Sequence, residues 1–168
     1  MRIGLIADTH IPSISEELPP QVAKAFADVN LILHAGDLHV LSVLDDLEKI
    51  APTIAVRGNG DCWTPKDPRL KDTYLLRVEG VSIGLTHALE YPETRWRSIE
   101  DSMERDFRGA VDVIVFGDTH VAMIEKYKGI LLVNPGSPTL PNGIRRLGTV
   151  AILEVAQGQS RASILQLG

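Results

Sequence analysis

The chain has 168 residues, of which 44% are apolar and 23% charged. That is the size and make-up of one soluble domain able to bury a core without a disulfide or metal staple. The net charge of −5 argues against broad nucleic-acid binding, which draws its affinity from a basic face against phosphates. The single cysteine, Cys62, excludes an internal disulfide and a CxxC zinc site and fits a reducing compartment. With no signal-like segment and no apolar run long enough to span a bilayer, the expected setting is the cytoplasm, away from membranes.

In chain order, apolar runs at residues 3–7, 31–33 and 53–56 predict buried strands. Helices are expected between them. One covers 21–29 after Pro19-Pro20, and one covers 40–50, with Pro52 as its stop. Strand, helix, strand, helix, strand implies a parallel sheet. Residues 74–78 and 81–85 flank Glu79-Gly80 as a hairpin. After Pro92, Trp96, Ile99, Met103 and Phe107 recur at helical spacing. A strand is expected at 113–116. Further strands are expected at 123–127, 130–133, 149–155 and 162–167, with turns at Gly129 and 157–159 and a Pro/Gly-rich loop at 135–143. With no repeat or linker, residues 1–168 read as one mixed α/β domain with two packed sheets.

Three of the five histidines obey one spacing: Asp8-Thr9-His10, Asp37-Leu38-His39 and Asp118-Thr119-His120. Chance pairing of 12 aspartates with five histidines gives about 0.4 such spacings. Asp8 and Asp118 sit where a predicted strand ends and Asp37 a few residues beyond one, the rim at which open α/β sheets bind ligands. In extended backbone, residues i and i+2 point the same way, so a carboxylate and an imidazole converge on one cation. Mixed donors of this kind suit zinc, manganese, iron or nickel. The plainer alternative is three helix-capping aspartates beside surface histidines. Gly58-Asn59-Gly60-Asp61 and Thr86-His87 close two more strands at the same rim. Arg57, next to that Asn loop, offers a guanidinium for a phosphate oxygen or for a surface acid. Asp61 is expected to brace the Asn59 loop. His34 and Cys62 are expected to be structural, and Trp63 and Trp96 to pack in the core.

In order, Asp8/His10, Gly36-Asp37, Gly58-Asn59-Gly60-Asp61, Thr86-His87 and Gly117-Asp118-Thr119-His120 resemble the motifs of the calcineurin-like metallophosphoesterase superfamily. The likeness is greatest to its small bacterial and archaeal phosphodiesterase branch, whose Asn-Pro-Gly-Ser loop is matched by residues 134–137. The resemblance implies a two-sheet sandwich flanked by helices (αββα) and two divalent metal ions bridged by Asp37. Asp8, His10, Asp37 and His120 would hold the first, and Asp37, Asn59, His87 and Asp118 the second. It implies metal-dependent hydrolysis of small phosphodiesters by a bridging hydroxide; the catalytic candidates are Asp37, Asn59 and His39, the last equally readable as a rim residue, and the substrate-contact candidates are Asn59 and Arg57. Manganese is the first expectation among zinc, iron, nickel and magnesium. Relatives in the branch often form oligomers, so a homo-oligomer is among the expected partners.

Two departures matter. Position 118 is Asp where the family has His. Two divalent cations, three carboxylates and a hydroxide leave no net formal charge, one unit less than with histidine. This favours a singly charged diester over a dianionic monoester. Gly60 and Leu89 stand where relatives place proton-donating histidines. Leaving-group protonation then falls to His39, to water or to nothing, and good leaving groups are favoured. A different class of function is a catalytically reduced scaffold that binds other proteins, as in the small subunit of the eukaryotic retromer coat, which resembles this branch.

Overall fold

The computed structural model describes residues 1–92 and 98–168. Strands β1 (Arg2–Ile6), β2 (Leu31–His34), β3 (Thr53–Val56) and the two-residue β4 (Leu70–Lys71) run parallel in one sheet. Its other side is closed by β10 (Thr149–Ala156), antiparallel to β1, and by β11 (Gln159–Gln166), giving the order β11-β10-β1-β2-β3-β4. The second sheet has the order β5-β6-β7-β9-β8, built from β5 (Tyr74–Val78), β6 (Val81–Leu85), β7 (Val113–Val115), β8 (Met123–Tyr127) and β9 (Ile130–Asn134). There β6, β7 and β9 are parallel, while hairpins add β5 and β8 antiparallel at the edges.

Alternation along the strands sorts their side chains into layers. Ile3, Leu5 and Leu33 face Ile83, Val113 and Val133 between the sheets. Gly4, Ile6 and Ile32 turn outward, where helices α1 (Pro20–Ala25) and α2 (Ser42–Glu48) cover them with Val22, Phe26, Leu44 and Leu47. On the far side α3 (Ile99–Phe107) lays Ile99, Met103 and Phe107 on Ile114 and Leu132. Each such burial contributes about 1.5–3 kcal/mol. Gly84 lets α3 come close, because a Cβ there would meet the Phe107 ring at 2.5 Å. The result is the expected helix–sheet–sheet–helix stack.

The first two helices are shorter than the apolar pattern suggested. Phe26 ends the first, since Asn30 must already donate its N–H to the Arg2 carbonyl to start β2. The third is capped at Ser98, whose hydroxyl accepts the Asp101 N–H at 3.0 Å; the Trp96 step of the expected helix falls outside the described residues. Strand β11 starts earlier than expected because Gln157 and Gly158, both at positive φ, form a two-residue turn that leaves Gln159 paired with Ala156. No helix among the described residues is long and apolar enough to cross a membrane.

Candidate metal centre

The site is assembled from the C-terminal ends of β1, β2, β3, β6 and β7, where parallel strands of both sheets deliver their exit loops to one place. The loops are tied to each other by backbone bonds: Asp8 N–H to the Gly36 carbonyl, His10 N–H to the Asp37 carbonyl and Gly117 N–H to the His87 carbonyl. In all three Asp-x-His triplets both outer residues adopt left-handed backbone, with φ between 47° and 70°. The extended geometry expected for the triplets is therefore corrected. Left-handed steps at Asp and His, which short polar side chains tolerate best, turn each strand sharply and aim both side chains inward.

The donors form three overlapping groups, one of them His10, Asp37 and His39. Asp8, His10 and His120 lie with their ligand atoms within 4.8 Å of one another, and Asp8, Asp37 and His87 form a second such set. His10 Nε2 stands 3.0 Å from His120 Nε2 and 3.6 Å from Asp37 Oδ2. On the other side His87 Nε2 stands 3.5 Å from Asp37 Oδ1, 3.6 Å from Asp118 Oδ1 and 2.9 Å from Asn59 Oδ1. The two oxygens of Asp37 thus face different imidazoles. His87 donates from Nδ1 to the Ala35 carbonyl at 2.7 Å. Its Nε2 is then a bare lone pair among acceptor oxygens, an arrangement that calls for a cation or a proton at its centre. Asp8 Oδ2 is buried with no hydrogen-bond partner, a costly state unless a cation completes it. The donor set fits divalent cations on both sides of Asp37.

Electrostatics agree. Burial, reinforced by Asp37, pushes the Asp8 carboxyl up to about 8. Burial pulls His10 down to about 4, with His120 and His39 adding to the fall against the pull of Asp37, so its imidazole is neutral and available as a donor.

The remaining predicted residues divide by what they touch. His39 Nε2 meets His10 Nδ1 at 3.0 Å, and its Nδ1 meets the Ser13 hydroxyl at 3.0 Å. With His10 Nε2 turned to the cluster, Nδ1–H of His10 donates to His39, which fixes the His10 ring. Arg57 turns its Nη1 to the Asp61 and Thr64 carbonyls at 3.3 and 3.5 Å, bracing the loop after β3. Asp61, fully buried, accepts N–H bonds from Asp37, His39 and Gly58 at 2.9, 2.7 and 2.8 Å, and so braces the Asp37 loop as well as its own. A side chain at Gly58 would overlap the Asp37 carboxylate, hence glycine there. His34 is buried and structural, its Nδ1 accepting the Gly36 N–H and its Nε2 meeting Thr9 Oγ1. Trp63 corrects the core expectation: it ends a short 3₁₀ turn over Asn59–Trp63 and is 92% exposed. Cys62, on the same turn, is free and exposed.

Sequence reasoning left Ser137 open between a contact with these loops and a plain turn, and missed the rest of the second tier of contacts. Ser137 and Thr139 donate to the Asp8 and Thr9 carbonyls at 2.7 and 2.9 Å, and the Asn142 N–H donates to the His120 carbonyl at 3.0 Å. Asn134 donates to the Gly117 carbonyl at 2.7 Å. Backbone acceptors leave no signature in a sequence; only the Asn-Pro-Gly-Ser motif pointed to this loop.

Residues 1–158 match the model of the calcineurin-like phosphoesterase superfamily domain, and the chain belongs to that family. Within it, the chain is 40% identical to a probable metallophosphoesterase of Methanothermobacter thermautotrophicus, over 84% of this chain and 79% of that one. It is 25% identical to a phosphodiesterase of Methanocaldococcus jannaschii across 99% of this chain and all of the other. Among solved structures, the zinc complex of Vps29 from Entamoeba histolytica superposes over 100% of both chains with a TM-score of 0.74 at 20% identity, a likeness of fold alone.

Proposed function

We propose that this hydrolase-family chain is a metal-dependent phosphodiesterase, the whole of residues 1–168 serving as one catalytic unit with two divalent cations, manganese first. The observation that carries the reading is the division of Asp37 between two imidazoles whose Nε2 atoms face acceptor oxygens. Asp8, His10, Asp37 and His120 would hold one cation, and Asp37, Asn59, His87 and Asp118 the other. When bound, the pair supplies Lewis-acid polarisation of the phosphoryl group and an activated water for in-line attack.

The chain's own residues do the rest. Asp37, held by the Gly60 N–H at 2.7 Å, keeps the two pockets at a fixed separation. Asp61 freezes the loops that carry Asp37 and Asn59, so little reorganisation remains when a diester arrives. His39 orients His10 and, through Ser13 at the exposed side, offers a proton route to the leaving oxygen. With no stronger acid in place, esters with good leaving groups turn over fastest.

The test is release of p-nitrophenolate from bis(p-nitrophenyl) phosphate by chelator-stripped protein with and without added manganese. Turnover that needs the ion and is lost in His10→Ala supports the reading. Bound metal without turnover overturns it and favours the protein-binding alternative. Exposed apolar side chains at Trp63, Val121 and Ile124 would then be the first place to seek a partner.

A further inference from the structure

The Arg146 side chain has no hydrogen-bond or ion-pair partner among the described residues, although the chain carries more acids than bases. It lies on a loop that is anything but loose. Ser137 and Thr139 fasten that loop to the backbone of Asp8 and Thr9, and the Asn142 N–H fastens its tip to His120. Within the loop, the Arg146 N–H closes on the Thr139 carbonyl at 3.1 Å and the Thr149 N–H on that of Ser137 at 3.0 Å. Arg146 is therefore presented at a set place relative to the first and third Asp-x-His triplets. It lines an open cavity of about 440 Å³ together with His120, Asn142, Thr149 and Gln166. Arg146 is the one permanently ionised side chain among the cavity's lining residues, and the Asn142 side-chain amide, which lines the same cavity, is likewise without a partner.

A guanidinium and an amide, both unpaired, over a cavity that reaches a candidate metal ligand make a seat for an oxyanion. We propose that this cavity binds a second anionic group of the substrate, a phosphate on the arm of the diester that points past His120. Arg146 is then a specificity-determining residue. This rests on the phosphodiesterase reading and deepens it. It also answers the charge deficit at position 118: positive charge that aspartate removes from the centre is restored beside it, where it selects for the far end of the substrate instead of the scissile phosphate.

The experiment compares two p-nitrophenyl diesters with manganese-loaded protein, one whose second arm ends in a hydroxyl and one whose second arm ends in a phosphate monoester, reading p-nitrophenolate. The wild-type protein should prefer the phosphate-ended substrate in kcat/KM. Arg146→Gln should cut that preference at least tenfold, mostly through KM. An equal effect on both substrates, or none, overturns the proposal. Inorganic pyrophosphate binding, followed by calorimetry on the metal-free protein, gives a readout independent of turnover. Binding weakened at least tenfold in Arg146→Gln supports the seat even if no diester is hydrolysed. Unchanged binding overturns it even if diesters are.

Discussion

Asp8 is fully buried and reaches across to His120, whereas the Asp118 side chain is 47% exposed and meets the cluster through His87. Around the first group the protein adds His39 on His10, Ser137 on the Asp8 carbonyl and Asn142 on the His120 carbonyl. Around the second it adds the Ala35 carbonyl on His87 and leaves Asp118 open to water. On the proposed two-cation reading, one half of the centre would be a preformed pocket and the other would be completed by its ligand. The shared Asp37 couples them.

The sharpest way to break the coupling is Asp37→Asn. It removes charge from both pockets at once, and kcat should fall more than about a thousandfold under saturating manganese. A loss confined to tenfold would mean that the two halves work separately.

Asp61→Ala attacks the bracing common to both. Three backbone N–H groups lose a buried carboxylate. Unfolding by urea should show a loss of about 3–5 kcal/mol.

The preformed half should also be visible in the pH dependence of the metal-free protein. Burial lowers His34 and His10 from 6.5 to about 4 and raises Asp8 from 3.8 to about 8. The two histidines give full stability above 6.5 and lose it as pH falls towards 4, because only the unfolded chain takes up those protons. Asp8 acts the other way: its contribution is lost as pH rises to 8, because only the folded chain holds that proton. Between 6.5 and 4 two histidines outweigh one aspartic acid, and between 6.5 and 8 Asp8 acts alone. Stability from these groups peaks near pH 6.5 and falls on both the acid and the alkaline side. Manganese should abolish the alkaline decline, since it stabilises ionised Asp8. Denaturation midpoints across pH with and without the ion check this.

The smallest effect belongs to the open half. Asp118→His should raise activity on phosphate monoesters relative to diesters by several-fold, about 1 kcal/mol. An unchanged ratio would remove the charge argument.

Much of this architecture was legible in the chain. The strands of both sheets follow from apolar runs and two-residue turns such as Glu79-Gly80, and the rim from repeated Asp-x-His. What escaped has physical reasons. The two-residue β4 is too short to leave a periodicity. The left-handed backbone at Asp8, His10 and their counterparts is imposed by loops packed together from both sheets, which no local pattern records. Trp63 is exposed because its 3₁₀ turn points it outward after Asp61 has been pulled in. The role of His39 depends on a partner 29 positions away, and that of Thr139 on a carbonyl 130 positions away.

The most direct measurement is the number of manganese ions bound per chain, by equilibrium dialysis, in the wild type and in Asp118→Ala. Two pockets of unequal firmness predict two ions in the wild type, one held more tightly, and only the tight one retained in Asp118→Ala. A single ion in the wild type, or loss of both in the variant, would contradict a centre built as one preformed and one ligand-completed half around Asp37.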